Sequence, residues 1–190
     1  MKSTYSTLLT NVMSLAILAI LTFNLSGCAS VKPQDYRDET PKLELFEFFA
    51  GTTQAWGQFQ DRSGKVIRRF TVDITGQISP NDPNQLTLDE RFVYNDGQTE
   101  QRIWHITRIA PNQYRGRAAD VVGDATGESA GNALNWRYTL DLPYKDSTLH
   151  VQFDDWMFLH SQDTMFNRAK VTKWGFNVGE VTLFFKKPER

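Results

Sequence analysis

Between Leu43 and Lys186 apolar side chains mostly return at every second residue, in runs cut by glycine, proline, asparagine and aspartate, a pattern that predicts antiparallel strands joined by tight turns. The clearest run is Leu134, Trp136, Tyr138, Leu140 and Leu142, opposed by Asn135, Arg137, Thr139 and Asp141. Pro143-Tyr144-Lys145-Asp146 turns it back toward Leu149, Val151 and Phe153, which makes the two runs neighbours. Upstream, residues 56–60 and 65–74 flank Asp61-Arg62-Ser63-Gly64 and predict a hairpin. Residues 79–84 predict the next turn, and Leu86, Leu88, Glu90, Phe92 and Tyr94 then share one face until Asn95-Asp96-Gly97. Residues 101–109 carry large apolar groups on both faces and predict a strand partly enclosed on both sides. Residues 169–174 and 180–186 predict a last pair joined through Gly175 and Gly179, while residues 43–49 read either as a strand or as a short helical lid ended by Gly51.

About eight to ten such strands, with no long amphipathic helix, predict an all-β antiparallel barrel, because closure removes the sticky edges of a large sheet. A barrel of this size either encloses a small ligand or fills its interior with side chains, and the pattern leaves both open.

The start of the chain follows a different rule. Met1-Lys2-Ser3 carries one positive charge, a mainly apolar stretch runs from Leu8 to Leu25, and Ser26-Gly27 gives a small-residue exit, the three parts of a secretory signal. The stretch has the length of a membrane anchor, but Thr10, Asn11, Ser14, Thr22 and Asn24 interrupt it, and cleavage before Cys28 is the expectation. Residues 1–27 are therefore read as a signal peptide, residues 28–42 as a tether containing Pro33 and Pro41, and residues 43–190 as the barrel domain. Of the 21 basic and 22 acidic residues only Lys2 lies in the leader, so the remainder is close to neutral and has no basic footprint for nucleic acid. Cys28 is the one cysteine, so no disulfide is expected to support the fold.

Leu25-Ser26-Gly27-Cys28 resembles the bacterial lipobox. The resemblance implies a thioether-linked lipid on Cys28, and Ala29, in place of an acidic residue, points to an outer-membrane address facing the periplasm. Several acyl chains would hold the protein on a membrane with no spanning segment. Residues 55–62, 123–136, 153–157 and 179–182 also resemble a family of uncharacterised proteobacterial lipoproteins with a lipocalin-like architecture. That resemblance covers residues 46–186 and implies a barrel, with no reaction to transfer.

Candidate chemistry is sparse. Trp56, Phe59, Trp104, Tyr114, Trp136 and Phe153 are candidates to line an apolar cavity, with Arg115, Arg117 or Arg137 holding an acyl carboxylate or lipid phosphate; the competing reading puts the rings in a filled core and the arginines in water. Asp154, Asp155, Glu180 and His105 are the best set for an acid–base enzyme, yet adjacent Asp154 and Asp155 point to opposite faces of a strand, and a structural role beside Arg137 or Arg168 is preferred for one of them. His105, His150 and His160 are too dispersed for a metal site, and no cofactor is expected. Gly123, Gly127 and Gly131 mark a ligand-mouth loop or a small-residue strand, not a phosphate loop. The expectation is a lipoprotein that binds or buffers an amphiphile such as a fatty acid or phospholipid. A noncatalytic envelope scaffold with a protein partner comes second, and a hydrolase of envelope lipid or polymer third.

Overall fold

The period-two runs become ten strands: β1 (Gly51–Asp61), β2 (Val66–Ser79), β3 (Asp82–Tyr94), β4 (Thr99–Ala110), β5 (Gln113–Arg117), β6 (Ala125–Ala130), β7 (Ala133–Tyr144), β8 (Ser147–Ser161), β9 (Thr164–Lys173) and β10 (Phe176–Lys186). Each pairs antiparallel with the next, and β1 closes on β10, so the computed structural model is an up-and-down barrel without free edges. It describes residues 30–144 and 147–188; the leader and Cys28 lie outside the described residues. Alternation sets which groups face inward: Ala55, Gly57 and Phe59 of β1 oppose Phe185, Leu183 and Val181 of β10 across the seam.

Several boundaries differ from the sequence expectation. β3 starts at Asp82, so Pro83 and Asn84 belong to a strand end, where a missing N–H is tolerated. Gly179 sits inside β10 beside a register shift, and the β9–β10 turn is Trp174-Gly175 alone, both with positive φ (51° and 82°) as a two-residue hairpin turn requires. β4 is not enclosed on both faces: Trp104 and Ile106 are buried, while Ile103 and Ile109 reach solvent. The glycine-rich segment resolves into the short strand β6, where a Cβ at Gly127, or at Gly116 of β5, would run into the indole of Trp136. The glycines make room for that ring to lie against the barrel wall.

Residues 45–49 take the lid form of the two readings. The helix α1 (Leu45–Phe49) buries Leu45, Phe46, Phe48 and Phe49, and its rings pack on Tyr114 of β5 and Phe185 of β10 at centroid distances of 6.0 and 5.7 Å. Lys187 Nζ donates to the carbonyls of Phe48 and Ala50 (2.5 and 2.8 Å), satisfying acceptors that the short helix leaves free. At the other end of the helix, Arg108 pairs with the N-cap residue Glu44 at 2.9 Å. Within the segment read as a tether, the compact unit begins at Lys32. A 3-10 turn (Pro33–Tyr36) places Tyr36 against Phe158 and Trp156 on the outside of β8 (5.2 and 6.0 Å), and Leu43 N donates to Gly131 O. Aromatic surface on β8 supplies the packing that proline and charge content did not foretell.

Candidate functional site

The interior is filled at one end and hollow at the other. Around α1, the buried side chains of Phe46, Leu86, Tyr114, Leu134 and Met165 close the barrel. Beyond them lies a chamber of about 560 Å³, within the range of small-molecule sites. Leu45 and Phe49 form its floor, and half-exposed Ile67 belongs to its rim near the β1–β2 turn. Its walls are mostly leucine, valine and aromatic rings, with Tyr138 stacked on Phe153 at 4.8 Å and Trp104 edge-on to both Trp136 and Tyr138.

Two sets of polar groups interrupt this lining. Toward the rim, Arg102 donates to Asp120 through Nε and Nη2 (2.9 and 2.7 Å to Oδ2), with Glu100 at 3.5 Å. Burial works against its charge, but Asp120, with Tyr138 and Glu90, holds the guanidinium pKa above its ordinary value. Arg68 lies over the Tyr94 ring, 3.4 Å from its centroid, and donates to Gln98 at 2.6 Å, with Asp96 at 3.1 Å. Tyr94 in turn donates to Glu100 at 2.7 Å. Both guanidiniums are thus engaged by the protein itself, Arg68 through Nη2 alone, its buried Nε having no partner among the described residues.

Glu90 of β3, the cross-strand partner of Arg102, and Asp155 of β8 also line the chamber. Desolvation raises both carboxyls to about 7; Arg102 and a hydrogen bond from Trp104 act in the opposite direction on Glu90, and a hydrogen bond from Asn167 does so on Asp155. Glu90 also raises Asp155, as like charges do. Asn167 Nδ2 donates to Asp155 Oδ1, while Asn167 Oδ1, in a side chain only 2% exposed, has no hydrogen-bond partner among the described residues. Burial pushes the Tyr138 hydroxyl well above its ordinary range, helped by Asp155, so it stays a neutral donor.

Phe59, Trp104, Trp136, Phe153 and Asp155 line this chamber. Tyr114 is inside but belongs to the packed end under Phe46. Trp56 is not in the cavity: it faces outward, 42% exposed, because Ala55 and Gly57 take the inward positions of β1. The three candidate arginines are likewise outside. Arg115 and Arg117 flank inward Gly116 and pair with Asp124 (3.3 and 2.5 Å), and Arg137 pairs with Asp154 at 3.1 Å. The acid–base set disperses for the same reason: Asp154 and Asp155 take opposite faces, Glu180 pairs outside with Arg168 at 2.6 Å, and His105 faces outward beside Thr87. Glu90, Arg102, Arg68 and Asn167 were not among the candidates.

The sequence matches the family described as "Protein of unknown function (DUF3833)" over residues 22–187. The chain belongs to the DUF3833 family. No curated protein matches this DUF3833 member. Its barrel is similar to the S-type phycobiliprotein lyase CPES of Guillardia theta (TM-score 0.56, 8% identity, 76% of this chain and 92% of that one). It is also similar to a protein of unknown function from the DUF3598 family of Nostoc punctiforme PCC 73102 (TM-score 0.55, 10% identity, 79% of this chain and 51% of that one). At these identities the likeness is one of fold, the lipocalin-like barrel.

Proposed function

We propose that this DUF3833 protein is an envelope lipoprotein, anchored through Cys28, whose barrel binds and buffers a small amphiphile. The observation that carries this reading is the half-hollow interior: a chamber of about 560 Å³ with a predominantly apolar wall and a few polar groups. The rim supports it. Trp174 (82% exposed) and Phe176 (75% exposed) stand out from the β9–β10 turn at the open end, with Lys173 Nζ 4.2 Å from the Trp174 ring centroid. Aromatic and cationic groups side by side suit a bilayer interface, from which an amphiphile enters the chamber.

Gentle extraction followed by mass analysis, then titration of the delipidated protein with an environment-sensitive apolar dye, tests the binding half. Stoichiometric retained or added ligand is expected, and neither would overturn it. For the anchor, replacement of Cys28 by Ala is expected to remove acyl mass and release the protein from the membrane fraction; an unchanged membrane fraction overturns that half.

An aromatic ladder outside the barrel favours a second reading, a noncatalytic scaffold with a protein-binding face. Trp56, Phe184, Phe166 and Phe158 lie directly opposite one another across β1, β10, β9 and β8. A Trp56→Ala, Phe166→Ala variant separates the readings: it leaves dye binding intact, and it loses a co-purifying protein only if the ladder is an interface.

A further inference from the structure

We propose that the chamber selects a ligand whose polar end donates hydrogen bonds, an alkylammonium or similar N–H-bearing nitrogen group, received by the carboxyls of Glu90 and Asp155 and by Asn167 Oδ1. This deepens the amphiphile reading above and rests on it; a free fatty acid is the ligand it excludes.

Arg102 is already committed to Asp120 by charge-assisted hydrogen bonds, and Arg68 is held through Nη2 by Gln98 and Asp96, with its buried Nε left without a partner among the described residues. An incoming carboxylate finds that lone N–H and would otherwise have to displace a carboxylate already in place. It would also bring a further negative charge into a chamber whose lining holds Glu90, Glu100 and Asp155 against Arg68 and Arg102, with Asp120 and Asp96 just behind.

The other polar groups have the opposite character. A carboxylate accepts hydrogen bonds through both oxygens, and Asp155 has one of its own filled by Asn167 Nδ2. Glu90 takes the Trp104 indole N–H. Asn167 Oδ1 is an acceptor with nothing to accept, at a position where an unmet polar atom is costly. These three side chains come from β3, β8 and β9 and line one chamber, with Asp155 and Asn167 in contact, so a head group bearing several N–H bonds finds acceptors there that a carboxylate or phosphate does not use. An ammonium also brings positive charge to two desolvated carboxyls, of which Glu90 has Arg102 opposite it and Asp155 is lowered by its hydrogen bond from Asn167.

The test uses the full-length protein, purified and delipidated, and three probes with the same chain: dodecylammonium, dodecanol and dodecanoate, each below its micellar concentration at pH 8. Fluorescence of Trp104 and Trp136, both in the chamber wall, reports binding. Dodecylammonium is expected to bind about tenfold or more tightly than dodecanol, the scale of a hydrogen bond to a charged group, with dodecanoate weakest. Asp155→Asn, which keeps shape and the Asn167 contact, is expected to lower the ratio of dodecylammonium to dodecanol affinity. Glu90→Gln gives an independent second variant. Dodecanoate binding as tightly as dodecylammonium, or a preference unchanged in both variants, overturns the inference while leaving amphiphile binding standing. Failure of all three probes together with the apolar dye overturns the binding reading itself.

Discussion

A carboxyl group enclosed by aliphatic and aromatic walls is a weak acid, and Asp155 and Glu90 translate that into pH-dependent stability. Their ordinary values are 3.8 and 4.5, and in the folded protein both rise to about 7. Between these limits the unfolded chain has released protons that the folded chain keeps, so stability is fully present below about pH 4 and declines until about pH 7. The exposed aspartates held low by local hydrogen bonds, such as Asp163 by Ser161 and Asp61 by Ser63, act in the opposite sense and only in acid below about pH 4. The denaturation midpoint is therefore expected to fall from about pH 5 to about pH 8, and the Asp155→Asn variant to fall less. At about pH 8 that variant is expected to exceed the parent by on the order of 1–3 kcal/mol; a midpoint equal to or below the parent's contradicts a desolvated Asp155. The residues behind this behaviour were partly visible beforehand. Glu90 stands within Leu86, Leu88, Phe92 and Tyr94, and Arg102 shares a face with Trp104 and Ile106, so a charge interrupting an apolar face was the available signal. The candidate arginines lie close in sequence to aromatic rings, and alternation sends such neighbours to opposite sides of a strand.

Among the elements, α1 and β6 depart furthest from what local patterning conveys. Five residues cannot hold a helix by propensity, so α1 owes its existence to four buried apolar side chains and to Lys187, which comes from beyond β10. Neither partner is near in sequence, which is why residues 43–49 read equally well as a strand. Phe49→Ala is expected to cost about 3–5 kcal/mol by calorimetry or denaturant titration, as for other buried phenylalanines. A cost below the error of measurement would mean that α1 is not packed in the barrel. β6 was ambiguous because small residues carry no alternation signal; its glycine reveals its purpose only once Trp136 is seen across it. Gly127→Val is expected to lose roughly 1–3 kcal/mol or more by forcing that indole off the wall, and an unperturbed near-ultraviolet circular dichroism spectrum would contradict this. The long hairpins were legible because alternation and turn residues agree there, as at Asn95-Asp96-Gly97, whereas the end of β2 and the start of β10 contain register shifts that blur the two-residue period.

For the molecule as a whole, closure, one filled end and one open end were not separable by inspection of the chain, since the same leucines and tryptophans serve as packing or as chamber wall. The position of Trp174 says more. A bulky aromatic residue with φ of 51° occupies a backbone region suited to asparagine or glycine, and it does so almost fully exposed. Trp174→Asn is expected to keep or raise thermal stability, by up to about 1 kcal/mol, while weakening sedimentation of the soluble Cys28→Ala protein with phosphatidylethanolamine–phosphatidylglycerol vesicles. Unchanged vesicle binding would remove the rim from the membrane reading.

The stopper formed by α1 and fastened by Lys187 makes the barrel a blind vessel. Whatever it carries enters and departs at the end away from that stopper. With hydrogen-bond acceptors inside, a guest of the proposed kind arrives head first and leaves its tail nearest the exit. Unloading then begins with the greasy end, the part a neighbouring bilayer is able to grasp.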